Sequence, residues 1–301
     1  MSITACGTVA FDSIETPFGK TEKDLGGSAN YFSLAASYFT KVNCVSVVGE
    51  DFPKEHLELM RSKGIDTTGI DIKEGKSFFW AGQYGYDLNN AKTLQTSLNV
   101  LETFHPKIPE SYKSSPVLFL ANLKPQIQEM VLSEMNNPRI TALDTMNYWI
   151  EGENEALLKV ISKVNILLIN EAELRQLTKT YNIIDAATAI RKIGPQILVV
   201  KRGEYGAMLF DHGDVFCIPA MPLAVVKDPT GAGDSFAGGF MGYLASQHDY
   251  SISRNVLRKA IVYGCVMASF TVQDFSVKKL IDLDHSKIEE RFHKFLAMTN
   301  L

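Results

Sequence analysis

Short runs of β-branched and aliphatic residues recur along this chain, and segments of helical periodicity separate most of them. Strands are expected at residues 3–9, 43–48, 117–120, 140–144, 166–169 and 197–201. Helices are expected at 27–39, 53–63, 124–135, 153–162 and 171–178, with two long ones at 231–245 and 254–271 and a terminal one carrying Ile288, Phe292, Phe295 and Leu296. Strands joined through helices pair in parallel, and a parallel sheet must be covered on both faces. The chain therefore reads as an α/β protein with a doubly wound central sheet flanked by helices. Its 301 residues suit a single large domain, 1–301, and an apolar fraction of 46% supplies its core.

Between residues 75 and 101 the pattern changes to period two. Phe78, Trp80, Tyr84 and Tyr86 fall on one face of an expected strand, and Leu94, Leu98 and Val100 on one face of the next, with residues 87–90 as the turn. Residues 13–24 add a further strand. Several strands in succession without a helix read as a small sheet standing off the main domain as a lid. Its apolar face needs a cover, which makes a homodimer through the lid an expectation.

Composition removes several functions. A formal net charge of −4 gives no basic footprint for nucleic acid or an anionic membrane. No apolar run reaches the roughly 18–20 residues of a membrane span, and the first eleven residues lack the pattern of a secretion signal. Cys6, Cys44, Cys217 and Cys265 fit no zinc spacing and read as buried free thiols in a reducing cytoplasm. The six histidines show no metal spacing.

The chemistry concentrates in Lys227-Asp228-Pro229-Thr230-Gly231-Ala232-Gly233-Asp234-Ser235-Phe236-Ala237-Gly238-Gly239-Phe240. A glycine-rich turn opens a helix here. A helix start carries unpaired N–H groups and partial positive charge, so it attracts phosphate-like anions. Asp234 stands in the first turn, where an alcohol could lie between it and the anion. An anion cradle beside a carboxylate points to phosphoryl transfer to an alcohol. The wording is neither a dinucleotide fingerprint nor a Walker loop.

Along its whole length this stretch resembles the signature of the ribokinase-like (PfkB) carbohydrate and nucleoside kinases. The resemblance implies a ribokinase-like fold, a cytoplasmic kinase, ATP and Mg2+. It makes Asp234 the base and Gly231, Ala232 and Gly233 the anion hole, with Thr230 beside the nucleotide. Leu25-Gly26-Gly27-Ser28-Ala29-Asn30 resembles the family's sugar-binding signature, so Gly26, Gly27 and Asn30 are expected at the acceptor, together with Asp12 at the end of the first strand. Asn170 and Glu173 match an Asn-x-x-Glu element that helps hold magnesium, often through water, and the nucleotide phosphates. Lys201, Arg202, Gly203 and Gly206 resemble the nucleotide-phosphate segment. After the second long helix the family often has a glycine-containing loop that binds a monovalent cation. This chain reads Thr271-Val272-Gln273-Asp274-Phe275-Ser276 instead, so potassium, with Asp228 near it, is the least supported of the implied ligands.

The expected substrate is a small sugar, phosphorylated on a hydroxymethyl or similar alcohol. A nucleoside kinase of the same fold is the alternative, and a non-catalytic ligand-binding regulator is a third reading. A base at a helix start is expected to be weak, because the dipole favours the carboxylate.

Overall fold

The computed structural model describes residues 2–211, 213–250 and 252–299. Its strands are β1 (Ser2–Cys6), β2 (Ala10–Thr16), β3 (Gly19–Gly26), β4 (Lys41–Gly49), β5 (Ile65–Lys73), β6 (Phe79–Tyr84), β7 (Ala91–Ser97), β8 (Val117–Leu120), β9 (Ile140–Asp144), β10 (Ile166–Asn170), β11 (Ile197–Lys201), β12 (Ala207–Asp211) and β13 (Asp214–Ile218). The longer helices are α1 (Ser28–Ala36), α2 (Lys54–Ser62), α3 (Pro125–Glu134), α4 (Asn154–Ile161), α5 (Glu171–Thr178), α6 (Ile183–Arg191), α7 (Ala232–Ser246), α8 (Arg254–Thr271) and α9 (His285–Thr299). No helix among the described residues is long and apolar enough to cross a membrane.

A nine-stranded sheet runs in the order β13-β12-β11-β10-β9-β8-β1-β4-β5. It is parallel from β11 to β5, and β12 and β13 complete it antiparallel. Alternate residues of each central strand feed two cores, as a doubly covered sheet requires. Val117, Phe119, Ile166, Leu168, Ile197 and Val199 join one core with α1, α7, α8 and α9. Leu118, Leu120, Leu167, Ile169, Leu198 and Val200 join the other with α3, α4, α5 and α6. The chain passes outward from β1 to β4 and β5, then returns to β8 on the other side of β1. That reversal opens a crevice at the carboxyl ends of the strands, where α/β sheets bind ligands.

The small sheet has the order β3-β2-β6-β7 and holds four strands, one more than the pattern suggested. β2 begins at Ala10, so the first expected strand stops at Cys6 and a new one carries Asp12 away from the main sheet. The aromatic stripe is shorter than expected. Trp80 and Tyr84 share a face of β6, but Tyr86 lies in the turn, 87% exposed. Leu94 sits at a register shift in β7, and Leu98 and Val100 lie beyond it, with Val100 buried in the main domain. β5, β13 and α6 were not among the expected elements, although α6 carries Ile183, Ala186, Ala187 and Ile190 at helical spacing. Cys217 is exposed, because alternate residues of the edge strand β13 face outward.

The glycine-rich signature helix α7 packs on both α1 and α8. A Cβ at Gly238 would lie 2.5 Å from the backbone oxygen of Phe32, and one at Gly239 2.6 Å from that of Tyr263. Poor helix formers are therefore retained where backbone meets backbone. Gly238→Val is expected to destabilise the fold by about 1–3 kcal/mol through overpacking. An unchanged urea midpoint would contradict that packing.

Candidate active site

Gly231 sits at the start of α7 in the left-handed region, φ 74°. Its own space is taken: a Cβ there would lie 2.4–2.5 Å from ring atoms of Tyr31. Asp228 shapes the turn, its Oδ1 accepting from the Thr230 N–H at 2.9 Å. No side chain caps α7; the Ala232 N–H donates to the Pro229 carbonyl oxygen at 3.1 Å, and the N–H groups of Gly231, Gly233 and Asp234 have no partner of that kind among the described residues. This differs from α5, where Asn170 accepts from the Glu173 N–H at 2.8 Å and Glu173 accepts from the Asn170 N–H at 3.0 Å. That capping box fixes both residues at the end of β10.

Lys201, at the end of β11, reaches back beneath α7. A Cβ at Gly233 would stand 3.1 Å from its ammonium nitrogen. The same ammonium donates to Asp144 Oδ2 at 2.6 Å. Asp144 closes β9, is 3% exposed, and was not singled out from the sequence. The signal was there: it ends an apolar strand at the ligand-binding edge, the same argument that selected Asn170. The neighbouring Arg202 donates to Glu171 Oε2 at 2.6 Å, and Glu171 also pairs with Arg175. These two guanidinium groups hold the Glu171 carboxyl below the usual carboxylate range.

On the side of the small sheet Asp12 projects from β2, 7% exposed. Gly26 on β3 makes room for it, since a Cβ there would fall 2.0 Å from Asp12 Oδ2. The backbone of Gly27, just before α1, hydrogen-bonds the same carboxyl. In the first turn of α1, both amide atoms of the fully buried Asn30 lack a partner among the described residues. The small sheet reaches the signature directly, where Thr230 Oγ1 donates to the Tyr84 hydroxyl at 3.3 Å. At the tip of that sheet, Asn89 Nδ2 donates to Glu204 Oε1 at 3.5 Å, and its Oδ1 would meet a Cβ on Gly203 at 2.6 Å. Gly206 closes the same turn against the backbone of Ile218 and Pro219.

The electrostatics correct one expectation. Asp234 is pushed up to about 8, by burial first and then by the charges of Asp144, Asp12 and Glu173, with Lys201 opposing. Burial likewise raises Asp12 and Glu173 to about 7. Desolvation and like charges outweigh the helix dipole here. The carboxylates crowd because four elements deliver one each: β2, β9, α5 and α7.

A model of the pfkB family of carbohydrate kinases matches residues 8–282. The chain belongs to that family. It is 30% identical over 250 residues to a cytidine kinase of Thermococcus kodakarensis, covering 81% of this chain and 88% of the relative. The solved nucleoside kinase of Methanocaldococcus jannaschii superposes with a TM-score of 0.77 at 21% identity, over 97% of this chain and 98% of that one. A ribokinase-like E. coli protein solved with ATP and Mg2+ superposes with a TM-score of 0.78 at 15% identity, over 97% of this chain and 99% of that one. The pfkB member described here is a sugar or nucleoside kinase of ribokinase fold, a phosphotransferase with an alcohol group as acceptor. ATP and Mg2+ belong to the family's chemistry.

A base must be ionised to accept a proton, so if Asp234 is the base its raised pKa places the acid limb of activity near neutrality. Turnover is expected to climb with kcat/KM through pH 7–8 and level off above about 9. A plateau already reached at about pH 5, as for an ordinary carboxylate, would contradict the electrostatics.

Proposed function

We propose that the chain transfers the γ-phosphoryl group of ATP to a hydroxymethyl-type alcohol, with Asp234 as the base. The observation that carries this reading is the juxtaposition at α7: an uncapped helix start, a lysine ammonium beneath it, and a carboxylate in its first turn. The acceptor oxygen attacks phosphorus, the bond to ADP breaks, and the hydroxyl proton passes to Asp234. The transition state is loose, so the alcohol loses its proton late and Asp234 chiefly orients it. N–H groups of Gly231, Ala232 and Gly233 stabilise charge on the moving phosphoryl group. Asp12, Gly26, Gly27 and Asn30 hold the acceptor, a carboxylate and an amide being suited to vicinal hydroxyls.

Asn170, Lys201, Arg202, Gly203, Gly206 and Thr230 are the nucleotide contacts. Arg202 and Lys201 now pair with Glu171 and Asp144, so phosphate would compete for cations already in place. The donor set fits magnesium: Glu173 offers one carboxylate, held beside Asn170 by their reciprocal hydrogen bonds. A cation that keeps its waters and shares phosphate oxygens needs no more than Glu173 with Asn170 nearby. When bound it would neutralise phosphate charge. Potassium has no comparable support.

The acceptor is first a nucleoside. The 30% identity to a cytidine kinase supports this, as do the aromatics Trp80 and Tyr84 on the small sheet. A free sugar is the second reading, favoured by Asp12 and Asn30, which recognise hydroxyls and no base. Residues 13–24 and 75–101 act as the lid, excluding water from the transfer, and the outer lid surface is where a second copy would dock. Cytoplasmic residence fits these small-molecule partners.

Release of ADP from MgATP with cytidine, inosine or ribose checks the reading. Asp234→Asn should lower kcat by at least about two orders of magnitude and leave nucleotide affinity largely intact. Near-normal turnover in that variant would overturn the assignment.

A further inference from the structure

Tyr31 was not part of any site read from the sequence. It follows Asn30 on α1 and is 1% exposed, and its phenolic oxygen has no hydrogen-bond partner among the described residues. A buried hydroxyl left unpaired costs stability, and native structures seldom retain one without a use. The ring is held rigidly, because its face lies against Gly231, with ring atoms 2.4–2.5 Å from where a Cβ would stand. The hydroxyl therefore cannot swing away to find a partner.

Its surroundings point to a ligand. Asp12, Asp228, Asp234 and Tyr84 all act on the Tyr31 phenol, so it lies among the acceptor carboxylate, the base and the small sheet. Burial and those three carboxylates hold its ionisation well above the ordinary tyrosine range, which keeps it protonated and able to donate. Once ionised, these carboxylates can only accept from an alcohol's protons. An acceptor molecule also carries oxygen lone pairs, and those need a donor. Asn30 Nδ2 and the Tyr31 hydroxyl, neighbours on α1, are two buried donors without a partner among the described residues.

We propose that Tyr31 is an acceptor-binding residue, whose phenolic O–H donates to an oxygen of a polyhydroxylated acceptor held between Asp12 and Asp234. The inference rests on the kinase reading above. Tyr84 offers an internal control, since its hydroxyl already has Thr230 as a partner.

The test uses Tyr31→Phe, which keeps the ring on Gly231 and removes only the hydroxyl. With cytidine and ribose as probes, kcat/KM for the acceptor should fall at least about tenfold, with KM for ATP within about twofold. In the ligand-free protein the melting temperature should hold or rise, because no hydrogen bond is lost, whereas Tyr84→Phe should hold or lower it. An active wild type with Tyr31→Phe within about twofold on acceptor kcat/KM overturns the proposal and leaves the kinase reading standing. A wild type that releases no ADP with either probe counts against the kinase reading's substrate class. The melting comparison then decides the role of Tyr31: a lower melting temperature for Tyr31→Phe means the hydroxyl serves internal packing, and the proposal falls.

Discussion

The crowding of carboxylates around the Lys201 ammonium is the interaction on which the site depends. Lys201 donates to Asp144 and acts on Glu173 and Asp234, while Asp12 adds its charge from the small sheet. Burial and like charge disfavour the ionised forms of Asp12, Glu173 and Asp234, while the surrounding carboxylates favour the charged Lys201. The fold brings them together because parallel strands present all their carboxyl ends along one edge. Two apolar cores, one on each face of the sheet, supply the stability that lets this edge remain strained. The amide of Asn30 and the hydroxyl of Tyr31, without partners among the described residues, belong to the same pattern of buried polar groups left unsatisfied at a cost in stability.

This arrangement links charge to chemistry. In the proposed transfer, a carboxylate pushed toward neutrality accepts an alcohol's proton more readily than an ordinary one, and the ionised share of Asp234 becomes the larger one only above about pH 8. In the proposed transfer the uncapped start of α7 would supply donors where phosphoryl charge develops, while Asp144 holds the lysine close to Gly233. The small sheet completes the enclosure. It carries Asp12 from one strand and Tyr84 from another, and its tip meets Gly203 and Glu204. One four-stranded element therefore links Asp12 and Tyr84 to the turn at Gly203 and Glu204.

Much of this was legible in the sequence because it rests on local signals. Apolar runs marked the central strands to within a few residues, and the glycine-rich signature marked the start of α7. Gly26 and Asp12 were read from separate segments, and the structure gives the reason they go together: one is vacant so that the other fits. What stayed hidden depends on contacts between distant segments. The pairing of Asp144 with Lys201 spans 57 residues, and neither neighbourhood alone announces it. The sign of the Asp234 shift was misread, because a helix start argues for a lower value while the three other carboxylates arrive from elsewhere in the chain. β2 was hidden by its position, since it continues the first strand in sequence but leaves the main sheet.

If burial and like charge set the state of Asp234, folding raises its pKa from the ordinary value near 4 to about 8. The folded chain then binds more protons than the unfolded one across that window, so this group's contribution to stability falls as pH rises from about 4 to about 8. The most direct measurement is unfolding stability against pH for the ligand-free wild type and Asp234→Asn. The account predicts that the asparagine variant is the more stable at pH 9 and that the gap closes toward pH 5. A gap that is absent, or that has the opposite sign at pH 9, would contradict it.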